Sequence, residues 1–345
     1  MKILFVGDAS SIHIKKWVDY FDKKYETIIC TFSRENKTDC EYVYYLGDRE
    51  VSVKGGNYHY LKGIPELRRI IIRERPDVLN VHFSYSMGLV TSLANIGTGI
   101  PMTVVCHGSD ILAPPLPGIM KHVNRFVLKR AEYVFAVSRQ ISVAVRDLVP
   151  SLAVFTGQYG IETEKLMSEK VRDTDIISNR AYVPNSRIDD ILHSLGKDQF
   201  GGKKIFVALP HISDERFDII QNENPGIDFV KYINHGNLLE KLGRTKVYVS
   251  ATMSDGTSLS LLEAIGSGCF PVVSDIPSNR EWIKHGVNGY LFNNYDDFEK
   301  YIGLALNDEA FRESAAEYNR KLILERGDYK TQMKKVEDIL LSLSS

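Results

Sequence analysis

"KILFVGDASSIHIKKWVDYFDKKYETIICTF", residues 2–32, carries the reading that decides the fold. "KILFVG" is a short apolar run rich in β-formers, "SIHIKKWVDYFDKK" has the period of a helix, and "YETIICTF" returns to strand character. Strand, helix, strand in that order is the unit from which parallel sheets are built, because parallel neighbours need a long crossover. The alternation continues through "DVLNVHF" (77–83), "MTVVCHG" (102–108) and "EYVFAVS" (132–138), so the first half reads as a doubly wound α/β domain.

The pattern pauses in the charged stretch "GIETEKLMSEKVRDTD" (160–175) and then restarts. "IISNRA", "KIFVALP", "IDFVKYI", "KVYVSAT", "FPVVSD" and "GYLF" form the second series of strands. Two Rossmann-like domains are expected, residues 1–165 and 166–327, as 345 residues exceed what one core usually serves. The segment from about 328 to 345 places Met333, Val336, Ile339, Leu340 and Leu343 on one helical stripe, which needs a surface to cover, the first domain being the expected one.

Bulk properties narrow the function. A net charge of −1 excludes a general polyanion binder, so no nucleic-acid partner is expected. Cys30, Cys40, Cys106 and Cys269 show no metal-ligand or redox spacing, which fits reduced thiols in a cytoplasmic protein. "MKILFVGD" is too short for a signal peptide, and no apolar run reaches the length of a membrane span. The basic stripe of "GIMKHVNRFVLKRAEY" (118–133) would suit peripheral contact with an anionic membrane, although most such helices simply cover their own core. "DTD", Asp173–Asp175, is read as solvated linker charge, so neither a metal nor a cofactor is expected.

The stretch "MSDGTSLSLLEAIGSG" (253–268) carries the chemistry. It reads as a tight loop entering a helix, whose first amides have no backbone acceptor and whose dipole adds positive potential. Such a helix tip suits phosphate. Gly256 lets a ligand approach the backbone, and Thr257 and Ser258 either cap the helix or bond ligand oxygens. Asp255 and Glu263 are out of place beside phosphate unless they face sugar hydroxyls, for which ionised carboxylates are good acceptors. A nucleotide sugar supplies both groups.

Residues 254–292, "SDGTSLSLLEAIGSGCFPVVSDIPSNREWIKHGVNGYLF", resemble the donor-site signature of the family 4 glycosyltransferases, retaining enzymes of the GT-B fold, in which two Rossmann-like domains face each other across a cleft. "GDASSIHIKKW", "CHGSD", "AEYVFAVS", "YGIE" and "ISNRA" follow the order of that family. The resemblance implies that Glu263 holds the ribose hydroxyls and Asp255 the transferred sugar, while the amides of Gly256, Thr257, Ser258 and Leu259 hold sugar and diphosphate oxygens. It implies His107 beside the donor sugar and Arg180 against the diphosphate, with no metal and no cofactor. Arg187 stands near the place of a lysine that the family often adds after that arginine. Lys231 occupies a position often filled by glycine near the nucleobase.

Gly7 would touch diphosphate at the first strand-to-helix turn, and Ser10, Ser11, His13 and Asp110 are acceptor-side candidates. The same residues also suit an ordinary strand-to-helix turn. The expected activity is transfer of a sugar from a nucleoside diphosphate sugar to a hydroxyl of a glycan or glycolipid acceptor, as in surface polysaccharide synthesis. The alternative is a non-catalytic subunit that keeps donor or partner binding and regulates an active enzyme. A dinucleotide-binding oxidoreductase would need G-x-G-x-x-G after the first strand, where this chain has "GDASSI".

Overall fold

The computed structural model describes residues 1–47, 58–112, 117–166 and 171–344. The chain divides into two compact units, Met1–Tyr159 with Lys330–Ser345, and Gly160–Tyr329. Part of the stretch expected to join the domains, residues 167–170, lies outside the described residues.

The first unit is built on seven parallel strands: β1 (Lys2–Val6), β2 (Glu26–Thr31), β3 (Tyr42–Tyr45), β4 (Val78–His82), β5 (Met102–Cys106), β6 (Tyr133–Ala136) and β7 (Val154–Thr156). Their order is β3-β2-β1-β4-β5-β6-β7. Strand order therefore reverses between β1 and β4, and the crevice beyond the carboxyl ends of these two strands is where doubly wound sheets bind ligands. The second unit repeats the plan with β8 (Thr174–Ser178), β9 (Ile205–Ala208), β10 (Ile227–Val230), β11 (Thr245–Ser250), β12 (Phe270–Ser274) and β13 (Tyr290–Phe292), ordered β10-β9-β8-β11-β12-β13. Its switch point lies between β8 and β11.

Buried apolar residues alternate across the second sheet. Ile176, Val207, Val247, Val249 and Val272 enter one core cluster, and Ile177, Phe206, Ala208, Tyr248 and Val273 enter the other. Successive strand residues point to opposite faces, so strands apolar on both sides must be covered by helices on both sides. That is the two-domain α/β architecture the alternation implied. The edge strands β3 and β7, half-buried or exposed at every position and only four and three residues long, are absent from the sequence reading even though "YVYY" and "VFT" are β-formers.

Asp173–Asp175 is not loose linker charge. β8 begins at Thr174, so Asp175 is held by the backbone N–H of Lys204 at 2.9 Å and by Lys246 at 2.8 Å, and Asp173 pairs with Arg244. All four cysteines are free and buried.

The terminal helix Tyr329–Leu343 buries Met333, Val336 and Leu340 of the expected stripe and also buries Gln332 and Glu337. Glu337 accepts hydrogen bonds from Tyr20 (2.9 Å), Tyr25 (2.7 Å) and Lys24 (3.1 Å), which ties this helix to the first helix, Ile12–Asp22, and to the turn after it. Burial pushes the Glu337 carboxyl up, but these donors outweigh it and hold the group down at about 2.

Candidate functional site

In the second unit, the loops after β8 and β11 bring Arg180 and Asp255 together at the switch point. The Arg180 guanidinium donates to Asp255 at 2.8 Å and to Ser258 Oγ at 2.7 Å. Its third nitrogen, Nε, is buried without an acceptor, and the two bonds spend only two of the five guanidinium N–H groups. Ser258 caps the helix Leu259–Gly266 by accepting from the Leu261 N–H at 3.2 Å. The cap fixes the helix start, and the amides of Leu259 and Ser260 precede the first residue able to find an intrahelical acceptor. A guanidinium and a helix tip thus converge, two cationic features with planar and fanned N–H groups suited to phosphate.

Gly256 and Thr257 are buried in the loop, the Thr257 hydroxyl donating to Gly256 O at 2.8 Å. Asn185 clips the loop from below by accepting from Ser254 N (3.1 Å) and donating to Ser254 O (2.9 Å). Glu263 lies on the same helix, mostly buried, and meets His235 Nε2 at 2.9 Å. His235 begins the helix after β10 and was not singled out in the sequence. Its signal in the sequence is its place at the start of the helix that follows a strand of this sheet.

Arg187 does not join this cluster. It donates to Asp190 at 2.9 Å and lies 4.9 Å over the Tyr295 ring. Lys231 pairs with Asp214 and lies 4.7 Å over Phe217.

In the first unit, the carboxyl ends of β1, β4 and β5 gather Gly7, His13, His82 and His107. Gly7 is small because a Cβ there would come within 2.6 Å of Ile14 and 3.2 Å of the His82 Cβ. Ser11 caps the helix Ile12–Asp22 by accepting from His13 N, and Ser10 donates through both N–H and Oγ to Asp8. His107 Nε2 lies 3.1 Å from His82 Nδ1, and its ring centroid lies 5.2 Å from that of His13. His13 Nδ1 in turn meets the Tyr159 hydroxyl. Burial, then the neighbouring His82 and His13, hold the His107 pKa well below the ordinary imidazole value. Phe83, directly after His82, has φ of 73° and packs its ring 4.7 Å from that of His107. A left-handed backbone at a bulky residue costs about 1–3 kcal/mol and gathers at functional sites.

Asp110 is fully buried, and its carboxylate accepts from the N–H groups of Ser84 (3.0 Å), His107 (3.1 Å) and Gly108 (2.9 Å). Asn124 donates to Asp110 O at 2.8 Å. Asp110 therefore braces the loop that carries His107. Gly108 adopts φ of 129°, the left-handed backbone that favours glycine. His82, Asn124 and Tyr159 escaped the sequence reading, since each reads locally as part of an apolar strand, a basic helix or a loop.

Among the described residues no group of three or more His, Cys, Asp or Glu side chains stands in metal-ligating position. No helix among them is long and apolar enough to cross a membrane.

Residues 2–138 match the family described as Glycosyl transferase 4-like, and residues 215–322 match Glycosyl transferases group 1. A curated relative, the UDP-N-acetylglucosamine–peptide N-acetylglucosaminyltransferase GtfA subunit of Streptococcus pneumoniae, is 37% identical over 71 residues, a stretch that is 20% of this chain and 14% of that protein. Among solved structures, sucrose-phosphate synthase from Thermosynechococcus elongatus superposes with a TM-score of 0.84 at 12% identity, covering 99% of both chains. Anabaena HepE, solved in complex with UDP, gives 0.80 at 13% identity over 99% of this chain and 100% of its own. With two Rossmann-like sheets and both family matches in this order, the chain belongs to the glycosyltransferases of the GT-B fold, a Glycosyl transferase 4-like domain followed by a group 1 domain.

Proposed function

We propose that this glycosyltransferase moves a sugar from a nucleoside diphosphate sugar to a hydroxyl acceptor with retention of anomeric configuration, without a metal or other cofactor. The observation that carries the reading is Arg180, held at the tip of the helix Leu259–Gly266 with a second N–H on each terminal nitrogen not spent on Ser258 or Asp255. A diphosphate placed there meets the helix tip and draws Arg180 from its pairing with Asp255, and that positive charge is worth most as the leaving group departs, which is electrostatic catalysis. Glu263 then takes the ribose hydroxyls and Asp255 the transferred sugar, with the amides of Gly256 to Leu259 on sugar and phosphate oxygens. HepE with UDP bound and the UDP-N-acetylglucosamine-dependent relative support a uridine diphosphate donor.

In this scheme the acceptor oxygen attacks the anomeric carbon on the face from which the diphosphate leaves. The acceptor proton passes to the departing phosphate oxygen, so no protein nucleophile is required. His107 supports the transferred sugar, Gly7 touches the diphosphate, and Ser10, Ser11 and His13 face the acceptor. The acceptor is a glycan or glycolipid made at the cytoplasmic face, with the basic face of the helix Pro117–Leu128 resting on the membrane.

The test is a panel of nucleotide sugars read by thermal shift and nucleoside diphosphate release, repeated on Glu263→Ala and Arg180→Ala. The best donor should stabilise the parent and lose its effect in both variants. Equal stabilisation of all three would refute the site. One observation favours the non-catalytic reading: Arg187 is spent on Asp190 and Tyr295 and leaves Arg180 as the sole cation of the pair at the loop. Donor binding without diphosphate release across the panel would select it.

A further inference from the structure

His82 is fully buried at the end of β4, where donor binding by itself does not call for an imidazole. Its ring stacks on His107 with centroids 5.2 Å apart and planes at 28°, and its Nδ1 lies 3.1 Å from His107 Nε2. The other nitrogen, Nε2, is buried with no hydrogen-bond partner. Burial, then the nearby His13, pushes the His82 pKa down to about 3, and His107 is depressed as well. Both rings are therefore neutral near pH 7, and one proton lies in the bond between them.

Two arrangements satisfy that bond. If His82 Nδ1–H donates to His107 Nε2, the atom left over on His82 is a bare lone pair. If His107 Nε2–H donates to His82 Nδ1, the atom left over is a buried N–H. Orphaned buried N–H groups are rarer than under-used acceptors, so the first arrangement prevails. The surroundings agree, because Trp17 meets His82 edge-on at 5.3 Å and its indole N–H, also without a partner, is a donor that gives a His82 N–H nothing to bond. With Nε2 accepting, neutral His107 carries its proton on Nδ1. That nitrogen makes no hydrogen bond among the described residues.

We propose that His82 is a positioning residue that locks His107 in the Nδ1–H tautomer, so that His107 presents an N–H donor, and not a lone pair, to an oxygen of the transferred sugar. The second half of this statement rests on the placement of His107 beside the donor given above. The first half stands on the buried pair alone. Under it His107 cannot act as a general base through Nδ1, and its ring orientation is set before any ligand arrives, held from the backbone side by Asp110.

The experiment uses full-length protein labelled with 15N-histidine, and reads tautomers at pH 7.5 from two-bond proton–nitrogen correlations. His107 should show Nδ1–H in the parent and in His82→Asn, whose amide still offers a donor near the Nδ1 position. In His82→Leu the preference for that tautomer should be lost. Release of UDP from UDP-glucose or UDP-N-acetylglucosamine should fall roughly tenfold in His82→Leu, the value of one hydrogen bond, and recover to within about threefold in His82→Asn. An Nε2–H His107 in the parent overturns the proposal, and needs no variant to fold. Activity that falls in His107→Ala but not in His82→Leu also overturns it. A tautomer that responds as described, with turnover indifferent to both His82→Leu and His107→Ala, overturns instead the placement of His107 at the donor. Failure of either nucleotide sugar to bind the parent counts against the uridine diphosphate reading and leaves the tautomer spectra to decide the role of His82.

Discussion

Replacing Asp255 by Asn should tighten the binding of UDP while slowing transfer. Asp255 holds Arg180 at 2.8 Å, with side chains only 20% and 16% exposed. Any phosphate that recruits Arg180 must compete with this carboxylate and also suffers its repulsion. Two charges about 4 Å apart attract by about 4 kcal/mol at an effective dielectric near 20, and desolvation cancels much of that. Hydrogen bonds to charged groups contribute about 1.5–3 kcal/mol net. Taking the lower end, removal of the negative charge should lower the UDP dissociation constant about tenfold. Arg180→Ala should weaken UDP by a similar or larger factor, since it removes the attractive partner. Isothermal titration of UDP into the parent and the two variants at one ionic strength measures both signs. If Asp255→Asn weakens UDP as Arg180→Ala does, Arg180 does not receive the diphosphate, and the competition argument is wrong.

Ser258→Ala should cost about 1 kcal/mol through the lost cap and free the Arg180 guanidinium from one anchor, read as a lower urea midpoint and weaker UDP binding. Asp110→Asn places an amide against N–H donors in a fully buried pocket, and should destabilise the first unit by about 2 kcal/mol in urea unfolding. Glu337→Gln tests the strap made by the terminal helix. The folded pKa of about 2 lies below the ordinary value, so the stabilisation is present above about pH 4.5 and is lost as pH falls towards 2. It is worth about 3 kcal/mol at pH 7, so parent and variant should differ by that amount in urea at pH 7 and converge in acid.

The alternation of apolar runs and helical periods was enough to give two parallel α/β sheets, because strands buried on both faces must be written in consecutive apolar residues. The loop "SDGTS" and the helix behind it were legible for the same local reason: an N-cap, a glycine and unpaired amides are properties of adjacent residues. Edge strands β3 and β7 were missed although "YVYY" and "VFT" are β-formers, because strands of four and three residues with half-exposed side chains show neither a long buried run nor a clean alternation of faces. Only the folded sheets decide the pairings on which the site turns. Arg180 and Asp255 are 75 residues apart in sequence, His82 and His107 are 25 apart, and Glu337 reaches back 317 residues to Tyr20. Each pair stands where parallel strands or a returning helix bring distant segments side by side, and burial then sets which proton is kept and which charge is countered. Residue type and local spacing name the groups capable of chemistry, but their partners are fixed by strand order, which no local pattern encodes.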